Sequence, residues 1–486
     1  MKYSLAVLLL KMADQTGTPF DREYAERFFT KAGQGTRNLV DFYLDVSHGQ
    51  ADLGDSEVFG WLDLPHTSDE LAAYHQQVID DETNRLNDEN NALPDEQKLS
   101  PEEIKKKAGE TAHTRRRGKI KEWAREAAAA VEPEPVDLTR FVNFVAVFSA
   151  PLDYFGSTDG VVVNHNPPNE ELNSVDLTGV AHEVGHGLGF THSHREQTSD
   201  DYGDLWDIMS AYKVRYNHAG SSNEDFNRPY HTYGPGLNVV NMQIQGWLDM
   251  SRVYQFPATG SSQVTLRPLH RRDLPGYLAA RVGGTWIEFR MDELWDSAIG
   301  RPVVLLHRRD INESGKPCST ILITHEGGGI VDVGGAPDRP RPDLRDGEVF
   351  KIGNELDIDS DLLRIAVVIN AEAREATIHV THRPARQLEP ALPFGGVTSD
   401  GGGLIWTPGR GWVRVPPRSP LYAVLEQIAE IEQLQTLTAA PAQHATISAM
   451  TTQRLALVRD DVNRIIANRL APSIPASPLS AKREEG

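Results

Sequence analysis

The chain has 486 residues, 39% hydrophobic, 24% charged and 7% aromatic. That composition is globular and too long for one ordinary core, so two to four domains are expected. The formal net charge of −20 excludes general nucleic-acid binding, which needs a basic face, and favours solubility with calcium or cationic substrates. No run approaches the ~20 apolar residues that span a bilayer. The single cysteine, Cys318, forbids an intramolecular disulfide.

The opening MKYSLAVLLLK has the look of a secretory leader, but Lys11 and Asp14 interrupt it and no small-residue cleavage site follows. It reads as a buried first strand, Tyr3 to Leu10. Residues 1 to about 80 read as mixed strand and helix. Residues 81–118 hold an acidic run, DDETNRLNDENN, and a basic one, KKKAGETAHTRRRGK. They read as a solvated polar insertion with a short helix from Ser100. Lys119 to Val131 reads as an alanine-rich helix, ended by Pro133 and Pro135. A buried strand follows from Phe141 to Phe148, and Asp159 to Asn164 (DGVVVN) makes a second apolar run. Asn173 or Ser174 can cap the next helix, with Asp176 in its first turn.

That helix carries the most informative stretch, AHEVGHGLGFTH, from Ala181 to His192. Residues four apart share a helix face, so His182 and His186 can aim two imidazoles at one point. A catalytic zinc usually takes three protein ligands and leaves the fourth position to water. His192 supplies the third if the helix ends before it. Gly189 offers that break, because glycine tolerates the left-handed conformation that ends helices. Glu183 sits beside the first ligand, where its carboxylate can take a proton from metal-activated water. Downstream, DYGDLWDIMSAY places Met209 after the motif. The acidic residues Asp200, Asp201 and Asp204 could bind calcium, but they lack a spaced D-x-D-x-D-G loop, so a solvated or turn-stabilising role is favoured.

The motif followed by a methionine turn resembles the metzincin zinc endopeptidases. YGDLWDIMS and GPGLNVVNMQIQGWL (Gly234 to Leu248) further resemble the immune inhibitor A and gametolysin-like branches. The resemblance implies a peptidase fold that opens with a strand and continues through segments such as Phe42–Gly49 and Val58–Leu64. It implies secretion, an apolar floor under the zinc at Met209, and a rim strand before the zinc helix that pairs with extended substrate. The rim role is assigned to Asp159–Asn164. Astacins and serralysins place a tyrosine two residues after the methionine. Here Ala211 stands there and Tyr212 one further on, so Tyr212 is expected to pack or bind near the site, not to ligate. Some metzincins are held latent by an upstream cysteine, and this chain has none before the motif.

From Ser262 to His382, short apolar strands recur between Gly, Pro and Asp turns, the spacing of an antiparallel β-sandwich. Its histidines, His270, His307, His325, His379 and His382, lack ligand spacing and read as structural or exposed. Cys318 falls in this part, away from the motif. Arg383 to Pro420 is rich in Pro and Gly. Two apolar stripes, one from Leu421 to Leu434 and one from Ile447 to Ile465, flank Pro441 and read as a helical hairpin packed on its own chain. The tail from about Ala471 reads as disordered.

The expected architecture is therefore α+β: a metzincin-like zinc peptidase domain at 1–260, a β-sandwich at 261–383, a linker at 384–420, a helical hairpin at 421–470 and a tail at 471–486. The expected function is zinc-dependent endopeptidase, with His182, His186 and His192 as ligands and Glu183 as general base. Two alternatives stand beside it: a non-catalytic binding protein with a retained zinc site, and a zinc hydrolase of a non-peptide amide. A protein or peptide substrate and no nucleic acid follow as partner expectations.

Overall fold

A computed structural model describes residues 3–164, 176–196, 202–210, 234–324, 343–352, 362–383, 396–397, 403–407 and 411–415. It is a mixed α and β structure whose chain divides into two compact units, Met1–Pro384 and Ala385–Gly486. Among the described residues, no helix is long and apolar enough to cross a membrane.

The first unit opens with β1 (Leu5–Lys11), buried along almost its whole length. Its even and odd side chains feed two different cores, as a strand covered on both faces must. Leu5, Val7 and Leu9 pack with α1 (Arg22–Phe29) and α2 (Leu39–Val46). Ala6, Leu8 and Leu10 face the other way. β2 (Glu57–Asp63) pairs parallel to β1. Next come α3 (Ser68–Asn91) and α4 (Pro101–Ala129), two long helices that pack on each other. The short helix expected from Ser100 and the alanine-rich helix expected from Lys119 are thus one continuous helix, and the polar insertion is a helical pair. Capping boxes start both helices, Thr67 with Glu70 and Ser100 with Glu103. Ile120, Trp123, Ala124 and Ala127 of α4 cover the second face of the sheet.

β3 (Asn143–Phe148), β4 (Phe155–Ser157) and β5 (Gly160–Asn164) complete a five-stranded sheet in the order β2-β1-β3-β5-β4. Only β4 runs antiparallel to its neighbour. This corrects the rim assignment: Asp159–Asn164 supplies an inner strand, and the edge belongs to β4. An apolar run of three valines fits a strand covered on both faces, whereas an edge strand needs no such run. Beneath the sheet lies α5 (Leu177–Gly187), with Asp176 at its N-cap and not in its first turn. Asn173 and Ser174 lie outside the described residues.

The rest of the first unit is mostly β, apart from α6 (Val239–Ile244). Its strands are β6 (His194–Arg195), β7 (Val253–Gln255), β8 (Gly260–Leu266), β9 (Ala279–Val282), β10 (Thr285–Arg290), β11 (Val303–Ile311), β12 (Pro317–Ile321), β13 (Val349–Ile352), β14 (Leu362–Asn370) and β15 (Glu375–Arg383). They form a six-stranded sheet, β6-β12-β11-β10-β9-β7, and a four-stranded sheet, β13-β14-β15-β8. Side chains of both sheets, among them Val264, Ile287, Phe289, Leu306, Ile365 and Ile378, share one core. The six-stranded sheet takes β6 and β7 from before residue 260, so no seam falls there.

In the second unit the structure describes β16 (Gly396–Val397), β17 (Gly403–Thr407) and β18 (Gly411–Val415), a small antiparallel sheet. It stands where the sequence reads as a Pro/Gly-rich linker, and each of its short strands begins with a glycine. The helical hairpin expected at 421–470 and the tail beyond it lie outside the described residues.

Candidate metal centre

α5 buries Leu177, Val180, Ala181 and Val184 in the first core, which leaves His182 and His186 side by side on another face, with His186 lining a cleft. The helix stops at Leu188, and Gly189 follows with φ of 97°, a backbone that side chains disfavour. The Phe190 N–H reaches back to the Gly185 carbonyl at 3.0 Å. The chain then returns His192 to the helix face. Nε2 of His186 lies 3.1 Å from Nε2 of His182 and 3.0 Å from Nε2 of His192.

The other ring nitrogens fix the protons. Nδ1 of His182 lies 2.8 Å from the Ile208 carbonyl, and Nδ1 of His186 lies 2.9 Å from the Phe190 carbonyl. A carbonyl oxygen only accepts, so each Nδ1 carries its proton and each Nε2 presents a lone pair. Two lone pairs facing at this distance repel unless a cation stands among them. The separations approach the ~3.3 Å edge of a tetrahedron with ligand bonds of about 2.0 Å, the zinc–imidazole distance. The donor set therefore fits zinc. Among the described residues these three histidines are the one cluster able to hold a metal ion, and neither Cys318 nor a described acidic residue joins them. Burial, followed by repulsion from His186, lowers the His182 pKa to about 3, which keeps that ring neutral and available.

Glu183 is buried beside the first of these histidines. Burial pushes its pKa up to about 8, against the pull of Arg117 and a hydrogen bond from the Gly156 N–H. A divalent cation at the imidazoles would pull it down again. Gly156 belongs to β4, and a Cβ there would lie 2.0 Å from the Glu183 carbonyl oxygen and 2.8 Å from His186 Cβ. Only glycine lets the edge strand lie this close over the helix. α4 supports the same strand. Arg116 and Arg117 bond Asp153, and Arg117 stacks 4.5 Å over the Phe155 ring.

Met209 is fully buried under α5. A Cβ on Gly185 would stand 2.5 Å from its Sδ, so the glycine makes room for the sulfur. Tyr212 and Ala211 lie outside the described residues. Tyr202 is the aromatic residue at the site that sequence reasoning missed. Its ring packs on His192 with centroids 4.1 Å apart, on a backbone with φ of 65°. Its position at the start of YGDLWDIMS was the available signal. Asp204 is not solvated, but it does stabilise a turn: its Oδ1 accepts from the Trp206 N–H at 3.1 Å. It is fully buried, accepting from Asn238 at 3.0 Å and from His307 at 2.9 Å. Asp200 and Asp201 lie outside the described residues.

A cleft of about 750 Å³ opens over His186 and His192. β4 and Thr158 form one wall; residues 189–196 and the β11–β12 hairpin form the other. Cys318 lines it from β12, so the β-rich part is not remote from the motif as the sequence suggests. His194, also in the cleft, pairs through β6 with Thr320. No protein family, curated protein or solved structure matches the chain.

Proposed function

We propose that the protein is a zinc-dependent endopeptidase of the metzincin type. The observation that carries this reading is the convergence of three Nε2 atoms beside a buried carboxylate, under a sheet's edge strand. His182, His186 and His192 would hold the metal. Zinc bound there would supply Lewis acidity and lower the pKa of water. Glu183 would take a proton from the attacking water and return it to the leaving amine. Its desolvated surroundings suit a group that must alternate between charged and neutral forms. β4, as the end strand, offers backbone groups to an extended peptide, which would add to the sheet. Met209 supports the helix that carries the first two ligands.

A structural zinc site in a non-catalytic protein has no use for a desolvated glutamate beside its ligands. A cleft walled on one side by the sheet's end strand also suits an extended peptide better than a small amide. Glu183→Ala should keep one zinc per chain and lose about 10²–10⁴-fold in peptide hydrolysis. Near-normal turnover in that variant would remove Glu183 from the chemistry.

A further inference from the structure

We propose that the two-sheet part is a component of the metal centre, in which His307 of β11 is a positioning residue for the segment carrying His192. The inference rests on the three histidines being a metal site and does not depend on the substrate. His182 and His186 are set by one helix. His192 stands outside any helix or strand, so its place must come from tertiary bonds. Those bonds lead to the six-stranded sheet by two routes.

The first route is β12. Thr191 Oγ1 donates to the Pro317 carbonyl at 2.9 Å. His194 and Arg195 pair with Thr320 and Ile321, and the Glu196 N–H reaches the Ile321 carbonyl at 2.9 Å. β12 thus holds the chain on both sides of His192.

The second route is a buried polar chain. Ser193, next to the third ligand, donates its hydroxyl to Asp207. Its carbonyl accepts from Ser210 Oγ at 2.8 Å. Asp207 also accepts from Asn238 and Asn241. Asn238 bridges to Asp204, and Asp204 accepts from His307 Nε2 at 2.9 Å. Beyond His307 stands Glu288, which accepts from the Val239 N–H at 2.6 Å and from Arg290. Ser193, Asp204, Asp207, Asn238, Glu288, Arg290 and His307 all have no exposed surface. Burying this many charges is a poor way to gain stability, since apolar residues would do as well. Fixing one ligand segment in one geometry is a use that apolar packing cannot supply.

The test uses the full chain and reads zinc affinity by competition with a chromogenic chelator, the visible spectrum of the cobalt-loaded protein, and thermal unfolding. His307→Leu removes the donor to Asp204; His307→Gln keeps one. Val380→Ala opens a cavity in the same two-sheet core, away from the polar chain. His307→Leu should lose about 10–100-fold in zinc affinity and change the cobalt spectrum. His307→Gln should restore most of that affinity, and Val380→Ala should lower the melting temperature while leaving zinc affinity at the wild-type value. If His307→Leu does not fold, Ser193→Ala decides, because it deletes one hydroxyl; a tenfold loss is expected. Wild-type affinity and spectrum in folded His307→Leu or Ser193→Ala would overturn the proposal. So would equal losses in the Leu and Gln variants, or an equal loss in Val380→Ala. Failure of the peptidase reading would appear separately, as zinc-loaded wild type that cleaves no peptide.

Discussion

At the scale of residues, the histidine trio was legible because helix periodicity and one glycine set it. His182 and His186 are neighbours on any helix, and Gly189 does with φ of 97° what its place in the motif suggests. Tyr202 and His307 were not legible, because nothing in local spacing ties them to His192; the first reaches it by ring packing and the second through several side chains. The buried histidines predict a pH response. The folded pKa of His182 lies below its ordinary value, as does that of His270, which burial also lowers to about 3. The unfolded chain therefore takes up protons that the folded chain refuses. This contribution is full above about pH 6.5, the ordinary histidine value, and is lost as pH falls toward 3. His307 works in the opposite sense. Burial opposes its charge, but Glu288 and Asp204 outweigh burial and raise its pKa. Its contribution is full below the ordinary value and lost as pH rises through the raised one. Glu183, whose raised pKa works against the histidines as pH drops, is common to wild type and His182→Phe. The metal-free variant should therefore gain melting temperature relative to the wild type as pH drops from 6.5 to 4. Identical acid limbs in the two proteins would contradict this account.

Among elements, β1, β3 and most strands of the two-sheet part could be read directly, because continuous or alternating apolar runs mark them. α3 and α4 were only partly read. Their capping boxes, and Pro101 at the start of α4, were present in the sequence. The buried stripe of α4 leans on Ala108, Ala112, Ala124 and Ala127, which add little hydropathy, so charge dominated the reading. The edge strand was misplaced by one hairpin, since β4 is three residues long and carries two small ones. Its closeness to α5 gives a prediction. In Gly156→Ala the new methyl meets the backbone of Glu183, which cannot swing aside as a side chain can. The variant should lose about 1–3 kcal/mol of stability, with weaker zinc binding. Urea unfolding and chelator competition measure both; wild-type values in each would mean that β4 does not press on the helix.

For the whole molecule, composition and strand spacing conveyed a mixed α and β chain that is β-rich between Ser262 and His382. They did not convey that β6 and β7 join that part from before residue 260, because pairing between distant segments leaves no local trace. Truncation after Pro384 should therefore leave a folded, zinc-binding unit. Truncation near residue 260 removes β12 and His307 together, and should yield a protein that neither folds cooperatively nor retains zinc. Circular dichroism melts and metal content of the two fragments check this. A folded, zinc-loaded 1–260 fragment would show that the two-sheet part is dispensable. Zinc at a hundredfold excess over Kd should stabilise the intact chain by about 2.7 kcal/mol, as a ligand bound only to the folded state must.

The most direct measurement is digestion of a peptide library, read by mass spectrometry, with zinc-loaded protein, chelator-treated protein and the Glu183→Ala variant side by side. Cleavage at internal peptide bonds by the zinc-loaded protein alone, restored to the chelated sample by added zinc, is the predicted result. Intact peptides in every arm, or cleavage that survives chelation or the loss of Glu183, would contradict the assignment of a zinc endopeptidase.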